Sequence, residues 1–231
     1  MGEPSPDGRF DAVWLDAGGV LVLPDPGVLG PLLAYYGGDA SVDRHRRAHY
    51  AAMAVKSVQG AEERDWIEYD RAYVRSIGVA EIDVEEAAQA LGHTRSALLW
   101  RWVIPEHLAA LRALDQAGVP LGVVSNASGQ IEAVLRRSGV CQVGPGAGVE
   151  VRCVVDSHVV GVAKPDPAIF EHAAVHFPDI ERSRIAYVGD SVTMDVGGAS
   201  AAGLHPLLVD PYDDHSDGDF DRIKSLADLV P

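Results

Sequence analysis

The sequence is poor in cysteine, in basic residues and in long apolar runs, and each shortage closes off a class of function. Cysteine occurs twice, at Cys141 and Cys153, without any paired-motif spacing. Neither a disulfide framework nor a thiolate zinc site is expected, and both thiols are read as reduced. Lys and Arg number 19 against 34 Asp and Glu, a formal net charge of −15. Affinity for a phosphate backbone needs clustered cations, so no nucleic-acid partner is expected, and an anionic substrate must find local positive charge. No apolar stretch reaches the roughly 18 residues that a spanning helix needs, and Met1-Gly2-Glu3-Pro4-Ser5-Pro6 lacks the apolar segment of a signal peptide. The expected setting is the cytoplasm, without membrane contact.

What is present is a 231-residue chain that is 47% hydrophobic, enough for one sizeable core or a core carrying an insertion. The stretch Phe10-Asp11-Ala12-Val13-Trp14-Leu15-Asp16-Ala17-Gly18-Gly19-Val20-Leu21 organises it. Val13 to Leu15 read as a buried strand, so Asp16 falls where the strand ends and a glycine turn begins, the place where open α/β sheets bind ligands. A carboxylate there is able to act as a nucleophile or hold a cation.

After Leu23 the pattern turns helical, with amphipathic stretches at 41–58, 61–77 and 81–100 broken by Gly37-Gly38, Gly60 and Gly78. Trp66, Tyr69, Tyr73 and Ile77 recur at helical spacing and are expected to pack inside this block, with a substrate wall as the alternative. Asp43-Arg44-His45-Arg46-Arg47-Ala48-His49 is the densest basic cluster and reads as a solvated helix face, with anion recruitment as the alternative. From Pro105 strands and helices alternate: strands at 120–124, 149–155, 185–188 and 205–209, with helices at 105–117, 129–138, 167–177 and from 191 through 202. That alternation predicts a doubly wound parallel sheet. Gly144-Pro145-Gly146-Ala147-Gly148 lacks the Lys and Ser/Thr of a phosphate loop and reads as a flexible connector. The aspartate-rich segment 210–221 reads as solvated surface. His172 and His176, at i and i+4, lack a third ligand and read as a surface helix face.

Asp16, Ser125, Lys164 and the pair Asp190 and Asp195 fall at the C-terminal ends of predicted strands or in the loops that follow. In a doubly wound sheet such loops converge on one crevice. Two or three carboxylates suit an octahedral Mg²⁺, and a lysine with a hydroxyl suits phosphoryl oxygens. A helix opening near Ser128 is expected to aim free N–H groups at the same place.

The order of these groups resembles the haloacid dehalogenase-like superfamily. Asp16-Ala17-Gly18-Gly19-Val20-Leu21 looks like its first motif, Val123-Val124-Ser125-Asn126 its second, Lys164-Pro165-Asp166 its third, and Gly189-Asp190-Ser191-Val192-Thr193-Met194-Asp195 its fourth. The resemblance implies a Rossmann-like catalytic core at 1–23 and 105–231, with residues 24–104 as an inserted helical cap of the type placed between the first two motifs. It implies Asp16 as a nucleophile that becomes an aspartyl-phosphate, Ser125 and Asn126 as phosphate-binding groups, and Lys164 as the neutralising cation. Mg²⁺ is implied at Asp16, the Gly18 carbonyl and Asp190, with Asp195 in support, and a small phosphorylated metabolite as substrate.

One position departs from the pattern. The usual first motif of the superfamily's phosphatases is Asp-x-Asp, whose second carboxylate protonates the leaving group; here that position is Gly18, as in some sugar-phosphate phosphatases and phosphonate hydrolases of the superfamily. The expected function is therefore a Mg²⁺-dependent phosphatase with its general acid unassigned. The alternatives are a non-catalytic binder of a phosphorylated ligand or partner, and a carbon–halogen or carbon–phosphorus hydrolase.

Overall fold

The computed structural model describes residues 10–58 and 66–231. In chain order it contains β1 (Ala12–Leu15), β2 (Val22–Pro24), α1 (Pro26–Ala34), α2 (Val42–Val58), α3 (Ile67–Ser76), α4 (Val84–Thr94), β3 (Trp100–Val103), α5 (Pro105–Gln116) and β4 (Leu121–Ser125). There follow α6 (Ile131–Arg137), β5 (Cys141–Val143), β6 (Val149–Val151), β7 (Val154–Asp156), α7 (Ser157–Val160), α8 (Ala168–Ala174) and β8 (Ile185–Gly189). A π-helical turn at Val192–Gly197 leads into α9 (Gly198–Ala201), β9 (His205–Val209) and β10 (Arg222–Ile223). Among the described residues, no helix is long and apolar enough to cross a membrane.

Six strands form one sheet in the order β10-β9-β8-β1-β4-β7, every pairing parallel. Because β1 is covered on both faces, all four of its residues are buried. Ala12 and Trp14 pack with Phe170, Phe177 and Tyr187; Val13 and Leu15 pack on the other face with Leu111, Leu121 and Val123. From β1 the chain winds outward to β4 and β7, then returns to β8 on the opposite side. The switch point thus lies at the C-terminal ends of β1, β4 and β8, which carry Asp16, Ser125 and Asp190.

Helices α1 to α4 form a block with its own core of Leu29, Leu33, Tyr73, Val74, Ile77 and Leu91. Tyr69, Tyr73 and Ile77 are buried in it, as their spacing predicts. Residues 61–65 of the stretch expected to be helical lie outside the described residues. The expected helix over 81–100 is a shorter α4 that ends at Thr94, and Trp100–Val103 is instead a strand, antiparallel to β2. Trp100-Arg101-Trp102-Val103 is aromatic and β-branched, and it lies against the exit strand, where the Ile104 N–H also reaches the Leu21 carbonyl at 3.1 Å. The two legs of the insertion are therefore tied together at its base.

Two loop readings change. The 144–148 connector is pinned: the buried Gln142 side chain donates to the Gly144 and Gly148 carbonyls (3.2 and 3.1 Å) and accepts from the Gly148 N–H at 2.9 Å. In the aspartate-rich segment, Asp210 is buried; its carboxylate accepts from the N–H groups of Asp214 and His215 and from Arg222 (2.8, 3.1 and 2.8 Å). The segment folds around that carboxylate because burying it requires satisfied lone pairs.

Candidate active site

Lys164 is the hub of the crevice. Its buried ammonium lies 2.9 Å from Asp16 Oδ2 and 2.7 Å from Asp195 Oδ1, and it donates to the Tyr187 hydroxyl at 2.8 Å, so all three donors are engaged. Burial alone would lower its pKa; Asp16 and Asp195 outweigh that effect and hold it above the usual lysine value. The backbone of Lys164 is fixed by Asn126, which accepts from the Lys164 N–H at 2.8 Å and donates to its carbonyl at 3.0 Å. Asn126 lines the crevice, but its side-chain amide is spent on placing the lysine.

Asp16 follows β1 with its N–H bonded to the Val188 carbonyl at 2.8 Å. Burial, reinforced by Asp195 and Asp190, raises its pKa to about 7, against the opposing pull of Lys164 and of a hydrogen bond from Ser125. Asp16, Asp190 and Asp195 each offer an oxygen within 4.8 Å of the others. Asp195 sits on the π-helical turn, which swings it back over the loop so that Oδ2 accepts from the N–H groups of Asp190 and Ser191 at 3.0 and 2.9 Å. A Cβ at Gly189 would overlap the Asp195 carboxylate, so a glycine is needed where the loop leaves β8. With Lys164 on its other oxygen, Asp195 is a brace for the loop and the lysine.

The glycine pair after Asp16 serves two purposes. Gly19 has φ +70°, and a Cβ there would overlap the Asp190 carboxylate. Gly18 carries no such backbone demand; a Cβ on it would meet the Trp100 ring at 3.1 and 3.3 Å. The space that a side chain at Gly18 would enter is covered by an indole.

Three sequence expectations need amendment at the site. First, the N–H groups near Ser128 are already partnered: Ala127 by Ser157 Oγ at 3.1 Å, Ser128 by Gln130 at 3.0 Å, and Gly129 by Asp156 at 2.9 Å, with α6 beginning only at Ile131. Second, the basic run on α2 is neutralised rather than open to an anion, since Arg44 pairs with Asp39, Arg46 with Glu106 and Arg47 with Asp214. Third, Trp66 takes the alternative role, a wall of the cavity above the carboxylates, whose volume is about 350 Å³, and Trp100 lines it too. His172 and His176 are exposed, and among the described residues no third ligand joins them.

His49 was hidden in that basic run. It is buried; its Nε2 lies 2.8 Å from Asp190 Oδ2 and its Nδ1 2.9 Å from the Tyr69 hydroxyl. A carboxylate only accepts, so in this pair Nε2–H is the donor to Asp190. Next to it, Tyr50 donates to the Gly19 carbonyl at 2.8 Å, so α2 contacts both glycine loop and carboxylates. The readable signal was spacing: His45, His49, Met53 and Lys56 recur at i, i+4, i+8 and i+11 and form the buried face of α2.

A haloacid dehalogenase-like hydrolase family model matches residues 10–203. Haloacid dehalogenase-like hydrolase domain-containing protein 3 of Bos taurus is 35% identical over 129 residues, which cover 53% of this chain and 48% of that protein. The chain thus spans about half the length of this relative. Pyrimidine 5'-nucleotidase YjjG of Escherichia coli is 24% identical over 67% of this chain and 70% of its own length. Among solved structures, the HAD-hydrolase YfnB of Bacillus subtilis bound to magnesium superposes with a TM-score of 0.59 at 18% identity, over 96% of this chain and 97% of that one; this likeness shows the fold. On the family match, together with the parallel core and its helical insertion, the chain belongs to the haloacid dehalogenase-like hydrolases.

Proposed function

We propose that the chain is a Mg²⁺-dependent phosphatase of a small phosphorylated metabolite, working through an aspartyl-phosphate on Asp16 in the cytoplasm. Residues 1–23 and 105–231 form the catalytic core in this reading, and 24–104 the cap. The observation that carries it is the cluster of three buried carboxylates, two of which share the ammonium of Lys164. Three close carboxylates and one ammonium leave negative charge that burial makes costly, and oxygen donors are the set that Mg²⁺ prefers. The residues therefore fit the ion. Asp16, Asp190 and the Gly18 carbonyl would hold it, Asp195 would brace them, and the bound ion would neutralise charge on the phosphoryl oxygens.

In this mechanism Ser125 and Lys164 hold the phosphoryl group against Asp16. A carboxylate oxygen of Asp16 attacks phosphorus, the bond from phosphorus to the leaving oxygen breaks, and that oxygen departs with the bonding pair. Water then attacks phosphorus, the bond to Asp16 breaks, and inorganic phosphate and the free carboxylate result. No carboxylate stands at Gly18 to protonate the leaving oxygen, so leaving groups that depart easily are favoured. The nucleotidase name of one relative agrees with phosphate chemistry.

The test is hydrolysis of an aryl phosphate. Asp16→Asn should lower turnover by about 10³-fold or more, since it removes the nucleophile and a metal ligand together. Excess chelator should abolish it. Activity above a tenth of wild type in the variant would overturn the proposal, and undiminished turnover in chelator would overturn its Mg²⁺ requirement.

A further inference from the structure

Helix α2 touches the loops of the carboxylate cluster at three places. His49 reaches Asp190, Tyr50 donates to the Gly19 carbonyl, and Ser57 Oγ accepts from the Val192 N–H at 3.3 Å, at the start of the π-helical turn that carries Asp195. Gly19 in turn lies against Asp190, since a Cβ there would overlap that carboxylate. The seating of α2 is therefore felt by both loops. Part of that seating is the aspartate-rich segment 210–221, which lies beyond the residues 10–203 matched by the family model.

Arg47 and Tyr50 are three residues apart and share a face of α2. Arg47 makes two parallel bonds to the Asp214 carboxylate, at 2.8 and 2.6 Å, and its guanidinium lies 4.8 Å from the centre of the Tyr212 ring. Tyr50 meets the same ring, with centroids 5.9 Å apart. The receiving loop is itself anchored. Asp210 holds the Asp214 and His215 N–H groups from below, and Asp213 adopts φ 61°, a left-handed conformation uncommon for residues other than glycine. An exposed ion pair alone contributes little, but a bidentate fork set against an aromatic ring on an anchored loop is the favourable exception.

We propose that Arg47, Tyr212 and Asp214 are positioning residues for the metal site: the 210–221 segment seats α2, and α2 holds Asp190 and the Gly18-Gly19 turn in the geometry that binds Mg²⁺. This rests on the Mg²⁺-dependent reading above and extends it to residues that do not line the cavity. Mg²⁺ demands a near-ideal octahedron, and a turn of two glycines has wide conformational freedom unless held from outside. Tyr50 and His49 supply that hold, and Arg47 sets the helix that carries both. By linkage, the bound ion should favour the seated helix to the same degree that the seated helix favours the ion.

The test is calorimetric Kd for Mg²⁺ on the substrate-free protein, for wild type, Arg47→Gln, Asp214→Asn and the double variant. Each single change should raise Kd by about 5- to 20-fold, within the usual range of coupling between sites, and the double change no more than the larger single one. Arg184→Gln is the control, because it breaks a similar pair with Asp11 before the N-terminal end of β1 and should leave Kd unchanged. Mg²⁺ should also slow amide hydrogen exchange across 210–221 in wild type, and Arg47→Gln should abolish that protection. An unchanged Kd in the folded single variants, an equal rise in the control, or exchange at 210–221 that ignores Mg²⁺ would overturn the positioning role alone. A wild-type protein that binds no Mg²⁺ would overturn the metal reading and this role with it.

Discussion

Restoring a carboxylate at position 18 should fail in the native background and succeed only when Trp100 is cut back. A Cβ on Gly18 meets Trp100 Cζ3 at 3.1 Å and Cε3 at 3.3 Å, against an ordinary carbon contact of about 3.5–4.0 Å. The ring must therefore yield by a few tenths of an ångström. It is not free to do so cheaply, because it stands edge-on to His49 with centroids 5.5 Å apart, and His49 holds Asp190. Overpacking of this kind costs about 1–3 kcal/mol, so Gly18→Asp should lose that much stability. In the double variant with Trp100→Ala the side chain has room, and a coupling of about 1–3 kcal/mol should appear in the double-mutant cycle. A positioned general acid contributes about 10²- to 10⁴-fold when a poor leaving group must be protonated. The assay is kcat/KM for matched alkyl and aryl phosphates alongside urea unfolding of all four proteins. The alkyl-to-aryl ratio should rise only in the double variant. The reasoning is refuted if Gly18→Asp alone is as stable as wild type and already raises the ratio, or if a well-folded double variant leaves the ratio unchanged.

Two other outcomes follow from the buried charges. Burial raises Asp16 from 3.8 to about 7, so in the metal-free protein its own contribution to stability should be complete below about pH 4 and lost as pH rises from about 4 to 7. Asp16→Asn removes the dependence; at pH 8 without metal it should be about 1–4 kcal/mol more stable than wild type, the two converging near pH 4. Denaturant unfolding in chelator checks this, and a variant less stable at pH 8 would contradict it. His49→Ala removes the partner of Asp190 Oδ2 and should weaken Mg²⁺ by about 10- to 100-fold. Thermal stabilisation by Mg²⁺ reads this directly, and an unchanged midpoint would show that His49 only packs.

The core of the fold was legible because a strand buried on both faces leaves a continuous apolar run, and the residue that ends it is conspicuous. Asp16, Ser125 and Asp190 could be placed on this logic alone, and they do meet at the switch point of the sheet. The roof of the cavity was harder to read. His49 follows three arginines and a histidine, and local composition says solvent; only its periodicity with His45 and Met53 shows that it turns inward. Trp100 was read as the end of the amphipathic stretch 81–100, whereas pairing with the exit strand decides its conformation. Asn126 and Asp195 were visible as polar groups in the right loops. Which lone pairs Lys164 and the loop N–H groups would use is a matter of three-dimensional geometry that spacing does not encode.

The most direct test of the central claim is a single turnover of an aryl phosphate in ¹⁸O-labelled water, with mass analysis of both the phosphate and the peptide that carries Asp16. If Asp16 is phosphorylated and water attacks phosphorus, the label appears in inorganic phosphate and the peptide keeps its natural mass. If water instead attacks the carboxyl carbon of an Asp16 ester, the label enters the Asp16 peptide; if Asp16 takes no covalent part, acid quenching during turnover yields no Asp16 peptide carrying a phosphoryl group. Either result would contradict the account.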